Sequence, residues 1–394
     1  MKAARRATMT SRERIVAVAC GLPVDRVPLM YWLNPHTTCR LIAEYQPARD
    51  RITSFLARYL WKRFIEGGEF NASESARALP LLFEGYGNGD YVLELGADIS
   101  IQSPELMSPI NFIGKIRRDN GHIRFRGPLG SVRGIGGIYP DVVEPIIREA
   151  QDLKDYQLPI ITDKQFGTLR KFRQAHPETC ILLEAMSFQQ LVSDVMWRTD
   201  QFMLALYDHP HEIKTFMARL SDWVMDIIRR GVKAGADVVF FQDDYGTTGR
   251  PLISPKMWKE FTYPHLKRFV EAAHDAGVPF MLHSCGYQMA FLDDYVEAGV
   301  DILQSFQPKA GNDFEAAYEQ YGDQLAFATG IDIQQGEWMR PQELRESILR
   351  SYRIGRRKGR HILGMTHMMQ YTMPMESVRT IFDTVQEIRA GDHG

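Results

Sequence analysis

Cysteine is scarce in this chain: Cys20, Cys39, Cys180 and Cys285 are the four among 394 residues. So few and so scattered, they cannot staple a fold, which excludes a disulfide scaffold and suits a reducing compartment. An excess of charge of either sign is missing too, with 47 Lys and Arg against 49 Asp and Glu for a net charge of -2. No global basic field exists to recruit nucleic acid or an anionic membrane, and neither is expected as a partner. Long apolar runs are absent as well. After a basic start, residues 15–20 form an apolar run of about six, shorter than the core of a signal peptide, and nothing approaches the roughly 18 of a membrane span. A cytoplasmic protein is expected. The G-x-G-x-x-G dinucleotide loop, the P-loop and the G-x-S-x-G elbow are missing from the sequence, which removes three common enzyme classes.

What is present is a large apolar endowment, 44% of residues against 24% charged, enough for a sizeable core. Much of it falls in short runs rich in Val, Ile, Leu and Phe at 27–32, 97–101, 180–186, 236–241, 279–283, 300–306, 325–331 and 361–365. Each is followed by polar residues and then by a longer stretch, which is how buried parallel strands with crossover helices read. Eight such runs predict an α/β fold of the (β/α)8 TIM-barrel type. In the second half the expected helices are 256–276, 287–298, 312–321, 340–358 and 376–390. In the first half 37–82 reads as largely helical. Thr10 with Glu13 forms a capping box before a short amphipathic helix. Residues 107–139 hold Gly-punctuated alternating segments, an antiparallel insertion in the N-terminal half. We expect one barrel domain over 1–394, with 1–10 flexible.

Barrel chemistry sits where strands end at the C-terminal face, and polar groups are dense there. His283-Ser284-Cys285 closes the fifth run. Alternation along an extended backbone turns residues i and i+2 to one side, so this imidazole and thiol can share a centre. Zinc accepts that pair of donors, and a third ligand would leave one position open for substrate. His367, after the eighth run, can face them across a closed barrel and is the candidate third ligand. A buried thiol and a satisfied core histidine would look the same in sequence. Gln242-Asp243-Asp244 follows the fourth run, and adjacent carboxylates can orient a histidine or raise one another's pKa. Asp243 and Asp244 are the candidate catalytic acids, although Asp244 could instead cap the loop before Ser254. His36, Glu184, Gln242, Gln307 and Asp332 are the candidate substrate contacts. Glu184 could alternatively supply a metal oxygen or pair with Arg198.

Several segments carry a wider resemblance. Arg12-Glu13-Arg14-Ile15, Asp25-Arg26-Val27-Pro28-Leu29, Phe240-Phe241-Gln242-Asp243-Asp244, Leu252-Ile253-Ser254-Pro255-Lys256-Met257-Trp258, Met281-Leu282-His283-Ser284-Cys285-Gly286 and Thr372-Met373-Pro374-Met375-Glu376-Ser377-Val378 occur in this order. Together they resemble the uroporphyrinogen decarboxylase superfamily, and within it the corrinoid-dependent methyltransferase branch. The resemblance spans about residues 10–388 and implies the same barrel. Uroporphyrinogen decarboxylases carry an arginine-rich M-R-Q-A-G-R-Y segment after the first strand. Here Met30-Tyr31-Trp32-Leu33-Asn34-Pro35-His36 stands in its place, with no arginine until Arg40. The methyltransferase branch holds zinc with H-x-C and a later cysteine, and where that cysteine is expected this chain has His367. The resemblance therefore implies bound zinc, a separate corrinoid (methylcobalamin) protein as partner, and methyl transfer involving a methyl ether or methylamine. A homodimer is compatible with the sequence. A metal-free decarboxylase acting on a different acid and a non-catalytic ligand-binding barrel are the alternatives.

Overall fold

Each apolar run contains a strand, and no strand reaches more than one residue past the expected C-terminal limit. The strands are β1 (Leu29–Met30), β2 (Ile99–Gln102), β3 (Cys180–Ala185), β4 (Val238–Gln242), β5 (Phe280–Ser284), β6 (Ile302–Ser305), β7 (Ala326–Ile331) and β8 (His361–Met365). These assignments come from a computed structural model that describes residues 8–64, 90–107, 117–119, 122–135, 140–185, 188–189 and 191–391. Parallel ladders join the strands in the order β1-β8-β7-β6-β5-β4-β3-β2. The ends of that order meet where the Asp98 N–H donates to the Leu29 carbonyl at 2.9 Å. The expected (β/α)8 barrel is the observed fold.

The helices follow local signals. Ser254 accepts the Met257 N–H and caps Pro255–Phe261, and a second helix, Tyr263–Asp275, restarts with a proline in its first turn. Proline is tolerated only at such a position, so the expected 256–276 helix is two. A 3₁₀ turn, Met289–Phe291, precedes Leu292–Ala298, while Phe314–Tyr321, Pro341–Arg356 and Met375–Gly391 fall where periodicity placed them. In the first half Pro35–Glu44 and Arg51–Phe64 are helical, residues 45–50 form a non-helical break between them, and 65–82 of the expected helical stretch lies outside the described residues. Between β2 and β3, Arg117–Asp119, His122–Arg126, Val132–Ile135 and Pro140–Glu144 form a four-stranded antiparallel sheet. This is the expected insertion, extended to Glu144, with 108–116, 120–121 and 136–139 outside the described residues. Of the 1–10 segment expected to be flexible, 1–7 are likewise outside; Thr10 and Glu13 form their capping box on Ser11–Ala19. Among the described residues no helix is long and apolar enough to cross a membrane.

Alternation divides the core in two. Met30, Ile99, Ile101, Leu182, Phe240, Met281, Ile302, Ala328 and Ile362 fill the barrel interior, closed from below by Ile15 and Val18 of the first helix. Their neighbours Ile181, Leu183, Val239, Phe241, Leu282, Leu303 and Phe327 face the helices. Period-two alternation then requires Glu184, Gln242, His283 and Gln304 to point inward at the C-terminal end.

The seam between β1 and β2 rests on one carboxylate. Asp98 is fully buried and accepts from Ser11 Oγ at 2.7 Å, Arg14 at 2.7 Å, Arg26 at 2.6 and 2.8 Å and the Leu29 N–H at 2.9 Å. Arg14, itself 3% exposed, also binds Asp25 at 2.6 Å. Burial alone would raise both carboxyls, but the hydrogen bonds and charge of Arg26 and Arg14 hold Asp98 below its usual range. At Asp25 the same opposition is won by Arg14, which brings the group down to about 2. A depressed folded-state pKa gives stability that is complete above the unfolded value and lost as pH falls through the folded one. Removing one partner from a buried ion network costs about 3 kcal/mol or more. Urea unfolding at neutral pH is therefore expected to show Asp98→Asn destabilised by at least that amount. From about pH 4 towards pH 2, the stability of Asp25→Asn is expected to fall less steeply than that of the wild type.

Candidate metal centre

The top inward layer of the barrel is polar because four neighbouring strands end there. His283 on β5 stands in register between Gln242 on β4 and Gln304 on β6. Two residues on, Cys285 brings Sγ to 3.3 Å from His283 Nε2. His367, in the loop after β8, completes a group whose donor atoms all lie within 4.8 Å of one another. The structure thus brings together the three residues singled out as metal ligands. Trp32 walls the group, edge-on to His283 at 5.0 Å and stacked on His367 at 5.6 Å between ring centroids. A cleft of about 710 Å³ opens over His367, and Thr247, Gln307, Lys309, Gln334 and Glu337 also line it.

The donor set suits a thiophilic, nitrogen-accepting cation such as zinc. Burial holds the His283 pKa below its usual value against the opposing charge of Asp244. Burial, followed by the charge of His283, pushes His367 down to about 4. Burial thus favours the neutral form of both rings, the form whose lone pair a metal needs. Burial, reinforced by Asp244, pushes the Cys285 thiol well up, so loading a metal must displace its proton.

The two adjacent aspartates have separate surroundings. Asp244 Oδ1 accepts the Cys285 N–H at 2.7 Å and lies 3.6 Å from His283 Nε2, beside the metal group. Asp243 is fully buried, and its carboxylate accepts the Gln189 N–H at 3.1 Å. Among the expected substrate contacts, Glu184 accepts from Gln242 at 2.7 Å and from Ser103, while Arg198 pairs with Asp200 instead. The amide of Gln307 accepts the Gly286 N–H and faces Cys285 Sγ at 3.7 Å. Asp332 caps Ile333–Gly336 by accepting the Gln334 and Gln335 N–H groups. His36, 8% exposed, packs against Tyr371. Ser187, another strand-end residue, lies outside the described residues. Sequence reasoning missed Trp32 as a wall of the centre; its place two residues after inward-facing Met30 was the available signal.

A sequence profile of the family described as Uroporphyrinogen decarboxylase (URO-D) matches residues 131–388. The chain belongs to the uroporphyrinogen decarboxylase family. A uroporphyrinogen decarboxylase of Thermus thermophilus is 25% identical over 390 residues, covering 95% of this chain and 98% of that protein. The chloroplastic uroporphyrinogen decarboxylase 2 of Arabidopsis thaliana is 24% identical over 185 residues, 46% of this chain and 44% of that one. Among solved structures, a methyltransferase from Methanosarcina mazei superposes with a TM-score of 0.63 at 16% identity, over 97% of this chain and 99% of that one. That likeness is one of fold. Within the family frame, Gly286 has a local reason: φ is +79°, and a Cβ there would fall 2.2 Å from the Gly246 carbonyl carbon. The loops after β4 and β5 touch through this point, where Tyr287 N–H also donates to Thr247 O at 2.9 Å.

Gly249 has φ of +76° with nothing within 4 Å, so it isolates backbone strain from collision. In thermal or urea unfolding, Gly249→Ala is expected to cost about 1 kcal/mol, and Gly286→Ala about 2 kcal/mol or more. Equal losses would show that the contact between the two loops carries no weight.

Proposed function

We propose that this protein is a corrinoid-dependent methyltransferase that moves a methyl group from the oxygen or nitrogen of a methylated small molecule to the cobalt of a corrinoid carried by a separate protein. The observation that carries this reading is the convergence of His283, Cys285 and His367 beneath an open cleft. These three side chains would hold zinc, which when bound supplies Lewis acidity towards the substrate heteroatom. One thiolate and two neutral imidazoles leave a formal charge of +1, whereas two thiolates and one imidazole would be neutral. A centre of that charge would favour withdrawing electrons from a methyl donor over promoting attack by a thiolate.

The chain's own residues supply the rest. Asp244, bound to the Cys285 N–H and beside His283 Nε2, would supply the proton needed as the heteroatom loses its methyl group. Trp32 excludes water from one side of the ligands, and the mouth stays open over His367 for substrate and partner. Decarboxylation of a polyanionic tetrapyrrole has less support here. Arg40, the first arginine after β1, donates to the carbonyls of Tyr371 and Met373 and to Glu44 at 3.0 Å, leaving it committed to structure. The curated relatives are uroporphyrinogen decarboxylases, and the competing reading is a carboxy-lyase that acts on a different acid without metal.

Metal analysis separates the two. About one zinc per chain is expected, lost on His283→Ala or Cys285→Ser. With cob(I)alamin and a panel of methyl ethers and methylamines, the cobalt absorption should change on methyl transfer, and Asp244→Asn should lower kcat by roughly 10²-fold or more. Carbon dioxide release without metal would overturn the proposal. Demethylation of methylcobalamin only in the presence of a thiol, with methyl ethers ignored, would reverse the proposed direction.

A further inference from the structure

Two glutamines on one strand end contact two of the three metal-ligand candidates, and the backbone fixes how each amide is turned. Gln304 Nε2 donates to the Met365 carbonyl at 2.8 Å. A carbonyl can only accept, so the amide nitrogen must lie on that side and Oε1 must face His283. Nδ1 of His283, which contacts that oxygen, therefore carries the proton, and Nε2 is left with its lone pair towards Cys285 and His367. Gln307 is turned the other way. Its Oε1 accepts the Gly286 N–H at 3.0 Å, which places its amide N–H groups on the Cys285 sulfur at 3.7 Å.

Between the two glutamines, Ser305 and Phe306 hold φ at +98° and +50°. Side chains rarely adopt this region, and two consecutive non-glycine residues there must be held by their surroundings. Phe306 is anchored at 1% exposure, packed on Phe327 at 5.2 Å, and the Ser305 carbonyl accepts Thr329 Oγ1 at 2.8 Å. The bend turns the chain so that glutamines three positions apart meet different ligands of one centre.

We infer that Gln304 and Gln307 are positioning residues that set the electrophilicity of the metal centre, Gln304 as a neutral acceptor to His283 and Gln307 as a donor to the Cys285 sulfur. Histidine ligands often donate to a carboxylate, which makes the ring a stronger donor. An amide adds no charge and strengthens the imidazole less. An N–H directed at a thiolate withdraws electron density from sulfur. Gln307 acts in the same direction as the single-thiolate donor set, and Gln304, standing where a carboxylate would add charge, orients His283 with only a modest gain in donor strength, so the centre stays electron-poor. The inference rests on the methyl-transfer reading, because only there does an electron-poor centre serve the chemistry.

The test replaces zinc by Co(II), whose thiolate charge-transfer band reports electron density on sulfur, and measures Co(II) and zinc affinity by chelator competition. Gln304→Leu should weaken both affinities about 10-fold or more, and the nearly isosteric Gln304→Glu should tighten them. Gln307→Leu should move the charge-transfer band to lower energy with the ligand-field bands unchanged, since a thiolate released from its donor is easier to oxidise. If the wild type binds Co(II) through a thiolate but all three variants keep its affinities within about twofold and its band position, the inference fails and the metal reading stands. If the wild type shows no thiolate band at all, the metal reading fails and takes the inference with it.

Discussion

Closing an eight-stranded parallel sheet needs the first and second strands to meet, and here that seam depends on Asp98. Its carboxylate, shut off from water, binds the Leu29 N–H of β1 directly and gathers Arg14 and Arg26. A buried charge is tolerable only when fully paired and hydrogen-bonded. The network therefore ties the first helix, the β1 approach and the β2 entry into one arrangement. It lies at the end of the barrel opposite the cleft. Stability and chemistry are segregated to opposite faces, as the geometry of this fold favours.

Once the barrel is closed, alternation does most of the remaining work. Each strand sends every second side chain into the interior, so an apolar ladder such as Phe240 and Met281 must be followed one layer higher by Gln242 and His283. Polar side chains in that layer cannot reach bulk water freely and must satisfy one another. They do so in neighbouring pairs, Glu184 with Gln242 and His283 with Gln304. The histidine is thereby immobilised with its free nitrogen aimed at Cys285 and His367, a prepared centre rather than a loose cluster of donors.

The loops above this layer are shaped by a few tight backbone contacts. Gly246 and Gly286 allow the β4 and β5 loops to touch, and the Asp244 carboxylate crosses the same gap to the Cys285 N–H. The strained bend after β6 adds Gln307 from the other side. Three successive strand ends thus lock around a single cysteine. Cys285 is one of four in the chain, and its restraint comes from hydrogen bonds to its own peptide and its neighbours, with no disulfide involved.

The sequence by itself determined what depends on short-range order. Eight apolar runs placed eight strands, the Thr10 and Glu13 spacing fixed the first cap, and the two-residue interval from His283 to Cys285 put both side chains on one side, because strand alternation is local. The ordered motifs were enough to indicate the family. Tertiary structure alone decided which strand-end polar groups converge. It brought His367 to the pair across the barrel, separated the surroundings of Asp244 from those of Asp243 and turned Gln307 onto the cysteine. Those outcomes depend on cross-strand register and on loop backbones whose partners lie tens to hundreds of residues away, and no window of sequence contains both members of such a pair.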